Sequence, residues 1–434
     1  MSALHEAAAG LLAAAKRAGA DVAEVVLHES ASVSVQRRLG KTEETERAET
    51  REIGLRVFLG RANASVSASA IDPASFIRLA EQAVSMARVV PADPYAEIPE
   101  APAARDAAFL DLDDPVEPDM AALIARAAAA EDAALAVPGI TNSEGASASW
   151  SRGTTLLATS RGFIGGYARS HHGVSVTAIA GEGTGMQRDY DYSSTLHGAD
   201  LEDPATLGHR AAQRALARLN PRRPQTAKLP VVFDPRVAGG LLGHLAGAIS
   251  GAAIARGTSF LKEALGQAVF APGVSIIDDP FRVRGLRSRP YDREGQTVQR
   301  RAFIEDGVLT SWILDTRSAN QLGLKTTGNA GGLSNFYLAP GAVSPAALMA
   351  DIAEGLYVTE LIGMGVNGLT GDYSRGAAGF MIRKGQLAEP VAECTIAGNL
   401  KDMFRQLTPA DDLVFKRGTD APTLRVEAMT LAGA

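Results

Sequence analysis

What most restricts the fold is the lack of regular strand–helix alternation on either side of a basic, proline-punctuated stretch, NPRRPQT at 220–226. A doubly wound parallel sheet needs a helix after each strand to carry the chain back across it. Here strand-like and helix-like segments come in blocks instead. The expected class is therefore α+β: two domains with largely antiparallel or mixed sheets and flanking helices, residues 1–222 and 223–434. At 434 residues, 46% hydrophobic and 21% charged, the chain is long enough for two cores and rules out bulk disorder.

Local periodicity fills in the two halves. Leu4, Ala8, Leu11, Leu12 and Ala15 recur at helical spacing, interrupted by His5, Glu6, Lys16 and Arg17. A secretory leader would be more continuously apolar, so a surface helix of a cytosolic protein is expected. No run of 18 uncharged apolar residues occurs, and no membrane span is expected. DVAEVVLHES and SVSVQRR alternate as strands, and Arg51 to Ser69 reads as a hairpin turning at Gly60 to Asn63. Asp72-Pro73 opens a helix to about Val90. Residues 91–118 carry six of the 21 prolines and predict an irregular connector. Helix resumes over Asp119–Val137, strands over 141–150, 154–159 and 166–180, and helix over Pro204–Leu219. In the second half, Leu229–Phe233 is a short buried strand and Asp234-Pro235 caps a helix over 235–254. The glycine-rich remainder is strand-like, with Ser344–Glu354 as its clearest helix.

Candidate chemistry is thin. One cysteine excludes a disulfide framework and any multi-cysteine zinc or iron–sulfur site. His5-Glu6 and His28-Glu29 resemble the opening of a zincin motif, but positions 9, 10, 32 and 33 are Ala, Gly, Ser and Val, so no second ligand follows. His171 and His172 are adjacent on a strand and point to opposite faces. Cys394, in an apolar run, is expected to be a buried structural thiol. Gly363, Gly365 and Gly368 match the dinucleotide fingerprint, yet LTGDYSRGAAGF follows where the mechanism needs a helix. The arginines of 282–301 are expected to form the polar face of strands, Arg282 and Arg284 having a period of two; a groove for an extended peptide is compatible with this. A net charge of -6 argues against a nucleic-acid binder, so none is expected as a partner.

Longer strings are more specific. ATSRGFIGGYARSHHGVSVTAIAGEGTGMQRDYDYSST (158–195), KLPVVFDPRVAGGLLGHLAGAISGAAIARGTSFL (228–261), GLKTTGNAGG (323–332), TGDYSRGAAGFMIRKGQ (370–386) and TIAGNL (395–400) resemble the TldD/PmbA family, most closely its PmbA (TldE) branch. The similarity runs from NSEG at 142–145 to APTLRV at 421–426, with the N-terminal third fitting less distinctively.

The resemblance implies several things. The zinc-bearing TldD branch has H-E-x-x-x-H on the helix corresponding to 235–254 and a cysteine ligand near the C-terminus. In this chain the three motif positions are Gly243, His244 and Ala248, and DDLVFKRGTD at 411–420 holds no cysteine. All three ligands and the general base are missing. The implied role is the non-catalytic subunit of a heterodimeric cytosolic metalloprotease that encloses a chamber and cleaves unfolded or extended peptides, as in microcin maturation and antitoxin degradation. No cofactor is expected in this chain, zinc is expected in a TldD-like partner, and a homodimer is the assembly open to the chain expressed alone. Catalytic and metal residues are none; His244, Asp372, Arg375 and Asn399 are the substrate-binding candidates, with turn and cap roles as the alternative. Two rival readings are a non-proteolytic peptide-binding or gyrase-modulating protein and an enzyme pairing His244 with Asp372 or Asp189.

Overall fold

The computed structural model describes residues 2–69 and 72–433. In chain order the first half comprises α1 (Ser2–Ala18), β1 (Val22–Arg38), β2 (Lys41–Leu59), β3 (Ala62–Ala68), α2 (Pro73–Ala87), α3 (Met120–Leu135), β4 (Ile140–Thr159), β5 (Ile164–Ala180), β6 (Gln187–Thr195) and α4 (Pro204–Ala217). The strands form one antiparallel sheet in the order β3-β2-β1-β4-β5-β6.

Alternation explains why this sheet has one covered face. Val25, Leu27, Val33 and Val35 of β1 share a side with Ala146, Ala148, Trp150, Leu156 and Ala158 of β4, and all are buried. Helices α1 and α2 cover one end of that side, while α3 and α4 cover the other. The starts of α2, α3 and α4 rest on aspartates: Asp72, Asp119 and Asp203 accept from the N–H groups of Ser75, Ala122 and Thr206 at 3.0, 2.7 and 2.9 Å. The two helices of the second pair meet at Gly208, where a Cβ would lie 2.1 Å from the Ala130 carbonyl oxygen. Gly208→Ala is therefore expected to force α3 and α4 apart and to cost about 2 kcal/mol by overpacking. A urea midpoint unchanged from wild type would contradict it.

Strands 141–150 and 154–159 fuse into one, as do the two segments of β1, and the helix expected to reach Val90 stops at Ala87. Residues 91–118 are irregular, as expected, but not loose. Ala96 and Ile98 pack on Phe58, and Leu110 and Leu112 pack on Leu196 beside Phe281 and Leu286. The connector is a strap between the halves: Arg317 pairs with Asp93 at 2.6 Å, and Gln296 donates to the Glu100 carbonyl at 2.9 Å.

The second half contains β7 (Ala227–Phe233), α5 (Pro235–Ala248), α6 (Gly251–Ala255), β8 (Ile276–Asp279), β9 (Arg301–Glu305), β10 (Val308–Leu309), α7 (Thr316–Leu322), β11 (Asn335–Leu338), α8 (Pro345–Met349), β12 (Glu354–Val366), β13 (Asp372–Arg383), β14 (Gln386–Asn399), α9 (Leu400–Arg405), β15 (Leu407–Pro409), β16 (Thr419–Asp420) and β17 (Leu424–Ala432). One sheet runs β14-β13-β12-β7-β17-β15, and β14 also pairs with β17, which closes the strands into a ring. A second, mixed sheet runs β10-β9-β8-β11-β16. Helix α5 buries Ala238, Leu241, Leu242 and Leu245 in a core shared with Phe233, Phe303 and Phe336.

Three expectations need correcting. The helix over 235–254 breaks after Ala248, because the Ser250 hydroxyl accepts from the Ala253 N–H at 3.3 Å and starts α6 as a separate turn. The helix over 344–354 ends at Met349; the Ile352 and Ala353 carbonyls instead accept from Gly385 and Lys384 of the hairpin that β13 and β14 form. Finally, 281–300 is not strand. Arg284 has a φ of 52°, the Ser288 hydroxyl donates to the Arg282 carbonyl at 2.6 Å, and the segment is a chain of turns. A period of two among polar residues carries no strand unless apolar partners fill the alternate face. Among the described residues, no helix is long and apolar enough to cross a membrane.

Candidate functional site

The four candidate residues lie around the C-terminal end of α5 and the hairpin of β12, β13 and β14. The structure places them in two groups. Asp372 is exposed in the hairpin turn, where it accepts from the Thr370 hydroxyl at 2.6 Å and the Asn399 amide at 3.0 Å. Those hydrogen bonds, with Lys401 nearby, hold its carboxyl below the ordinary carboxylate value. Asn399 in turn caps α9 by accepting from the Lys401 N–H at 3.0 Å. Both side chains are thus engaged in a turn and a cap.

His244 and Arg375 form the other group, joined through Tyr373. The His244 imidazole stands edge-on to the Tyr373 ring, with centroids 5.9 Å apart. Tyr373 is 2% exposed, and its hydroxyl has no hydrogen-bond partner among the described residues; the same is true of the buried Nε of Arg375. Burial, then the Arg375 charge, push the His244 imidazole below its ordinary value, so it is neutral at pH 7. Burial pushes the Tyr373 hydroxyl up to about 12. Tyr373 escaped sequence reasoning although it lies inside a quoted string, because a tyrosine among glycines gives no sign that its hydroxyl is orphaned.

The remaining α5 positions carry no such chemistry. Gly243 is exposed, with nothing within 4 Å of where a Cβ would sit, and Ala248 is buried. Asp189, the other partner considered for His244, is 3% exposed and accepts from Arg236 at 2.6 Å and Arg218 at 3.5 Å. It belongs to the seam between the halves. His171 and His172 do face opposite ways: His171 meets the Ser194 hydroxyl at 2.7 Å, while His172 is buried 3.2 Å from Asp114. Cys394 is buried and donates to the Ala377 carbonyl, and burial raises its thiol. The Gly363–Gly368 match sits at the tip of β12 and is followed by a turn and β13, with no helix to receive a pyrophosphate.

Three family models match this chain: PmbA/TldA metallopeptidase domain 1 over residues 23–87, the central domain over 113–219 and the C-terminal domain over 226–433. Metalloprotease PmbA of Escherichia coli O157:H7 is 39% identical over 416 residues, covering 95% of this chain and 92% of that protein. The metalloprotease PmbA homolog of Haemophilus influenzae is 33% identical over 434 residues, covering 99% and 96%. Among solved structures, a proposed modulator of DNA gyrase from Bacteroides thetaiotaomicron matches with a TM-score of 0.88 at 25% identity, over 99% of each chain. TldE from Thermococcus kodakarensis matches at 0.87 and 19% identity, over 98% of this chain and 100% of that one, a likeness of fold.

Proposed function

Since the chain belongs to the PmbA/TldD family of metallopeptidases, we propose that it is the non-catalytic, PmbA/TldE-like subunit of a heterodimeric cytosolic zinc metalloprotease acting on unfolded or extended peptides. The observation that carries this reading is the donor set on α5. Zinc needs three protein ligands with a fourth position open for water or substrate. The motif positions supply one imidazole, and that ring is packed on Tyr373 rather than joined by a second ligand. These residues do not fit the metal, and no catalytic step runs through it here.

What the chain contributes is surface. Around Gly243 the face of α5 is bare, with Gly240 and Gly247 also meeting nothing within 4 Å. Close by, the β12–β13 hairpin exposes Ile362, Met364 and Leu369 at 61%, 83% and 58%. Exposed apolar groups on a projecting hairpin suit a partner subunit. The catalytic zinc and its general base then belong to a TldD-like partner, and this chain supplies chamber wall and peptide-binding surface.

The test is expression of this chain alone and with a sister carrying H-E-x-x-x-H. Alone it is expected to bind no stoichiometric zinc and to cleave no casein-derived peptide; together, chelator-sensitive cleavage is expected. Stoichiometric zinc with cleavage by the lone chain would refute the reading. A second reading, a peptide-binding or gyrase-modulating protein without proteolysis, draws on the arginine-lined cavity described next. A genome encoding no H-E-x-x-x-H sister would favour it.

A further inference from the structure

The face of the first sheet that the helices leave bare is partly roofed by the turns of 281–300. Between sheet and roof lies a cavity of about 710 Å³. Four arginines line it, Arg169 from β5 and Arg287, Arg289 and Arg293 from the roof. Elsewhere arginines find carboxylates: Arg152 with Asp113 at 2.7 Å and Arg284 with Asp111 at 2.6 Å, for example. Among the described residues these four form no ion pair. Arg169 donates to the Leu286 and Ser288 carbonyls, Arg289 to the Ala330 and Gly332 carbonyls, and Arg287 to the Thr419 hydroxyl. Each acceptor is neutral.

The Nε groups of Arg169 and Arg289 are shielded from solvent and donate to nothing among the described residues. Burial holds both guanidiniums below their ordinary value against the opposing pull of Tyr167 and, for Arg289, of Asp278 and Asp292, and the like charge of a neighbouring arginine adds a smaller push in the same direction. The carboxylates facing the same space are already engaged. Asp292 accepts from the N–H groups of Glu294, Gln296 and Ala330, and Glu24 lies 3.7 Å from Arg56. Arg169 and Arg289 are half-buried and Arg287 and Arg293 exposed; guanidiniums without an ion-pair partner attract an anion, and their fork fits a carboxylate.

The rest of the cleft suits a chain rather than a small ion. Tyr291 lies against the sheet because position 165 is glycine: a Cβ there would sit 2.8 Å from its ring. With Tyr167 it makes an aromatic wall, ring centroids 5.8 Å apart. Beyond Arg169 the cleft continues for about 380 Å³ along β4 and β5, past Ser30, Ser151 and His171.

We propose that this cavity is a carboxylate-binding site that anchors an acidic group of an extended peptide, either its α-carboxylate or an Asp or Glu side chain. That the ligand is a peptide rests on the metallopeptidase reading; that it is an anion rests on the arginines alone.

Calorimetric titration of the full chain tests it, with an N-acetylated alternating Gly-Glu peptide and its Gly-Gln counterpart, each as free acid and C-terminal amide. The acidic peptide is expected to bind at least about tenfold more tightly than the Gly-Gln amide, with affinity falling as salt rises. Binding retained by the Gly-Glu amide identifies the side chains; binding retained by the Gly-Gln free acid identifies the α-carboxylate. Arg289→Lys and Arg293→Gln are each expected to weaken binding about tenfold. The Arg293 side chain holds no hydrogen bond or ion pair among the described residues, and its backbone N–H, which donates to the Ala330 carbonyl at 3.1 Å, is unaffected by substitution, so its variant keeps the test valid if Arg289→Lys misfolds. Equal affinity for all four peptides, unaltered affinity in the Arg293→Gln protein, or inorganic phosphate binding more tightly than any peptide would overturn the proposal. The assay reads binding by the lone chain, so it succeeds or fails independently of cleavage by the co-expressed pair.

Discussion

Replacing Arg236 with alanine is expected to cost the folded chain about 3–5 kcal/mol, the usual penalty for leaving a buried charge without its partner. Arg236 stands in the first turn of α5, where the positive end of the helix disfavours a cation. It is held there by carboxylates from both halves. Its Nη1 donates to Asp189 of β6 at 2.6 Å and its Nε to Asp234 at 3.1 Å. Burial alone would lower the guanidinium, but these two charges outweigh it and raise it above its ordinary value. With side-chain exposures of 10% for Arg236 and 3% for Asp189, little solvent screens the pair. Once Arg236 is gone, the one cation left to Asp189 among the described residues is Arg218, at 3.5 Å and already paired with Glu360, beside the Tyr190 N–H that donates to it at 2.8 Å. Asp189→Asn should cost less, because Arg236 retains Asp234. Urea unfolding checks both variants, and a loss below about 1 kcal/mol for Arg236→Ala would show that the seam relaxes around the vacancy.

Glu294 should make stability fall as pH rises. It belongs to the turns of 281–300, and its carboxylate accepts from the Thr316 N–H at 3.0 Å and hydroxyl at 2.5 Å. Burial, with Asp292 and Asp315 adding to it, pushes its carboxyl from 4.5 up to about 7. The folded state thus holds this proton more tightly than the unfolded chain does. Its stabilising contribution is complete below about pH 4.5 and is lost as pH climbs through about 7, a swing of about 3 kcal/mol. Asp278, raised by burial to about 6, acts in the same direction at somewhat lower pH. Glu294→Gln keeps a carbonyl for Thr316 and removes the titration. It is expected to lie within about 1 kcal/mol of wild type at pH 5 and to exceed it by about 3 kcal/mol at pH 8. Parallel stability curves for the two proteins from pH 5 to 8 would refute the assignment.

Much of the fold was legible because it depends on short-range rules. The alternation of Val33 with Val35 and of Ile53, Leu55 and Val57 marks strands that form. Element boundaries were legible only where a capping side chain stood alone. At 235–254 the apolar period continues through Ser250, and only the hydroxyl's hydrogen bond to the Ala253 N–H shows the break. The candidate site was partly legible. His244 and Arg375 are brought together, whereas Asp372 and Asn399 serve their own turn and cap. Polar residues in a glycine-rich string look alike until the partners they use up are known.

By itself, then, the sequence determined the helix starts at Asp72, Asp119, Asp234 and Ser344, the strand alternation, the family and the presence at positions 243 and 248 of residues, Gly and Ala, that carry no donor side chain. Each of these is a matter of which residue stands at a position or within a few residues of it. Only the tertiary structure decided which polar groups stay unpaired. Arg169 spends its Nη donors on carbonyls at 286 and 288, Arg236 reaches back to Asp189, and the connector straps Asp93 to Arg317. Whether a buried donor is satisfied depends on groups tens to hundreds of residues away. The unmatched arginines of the cleft and the orphaned hydroxyl of Tyr373 therefore become visible only once the chain has folded.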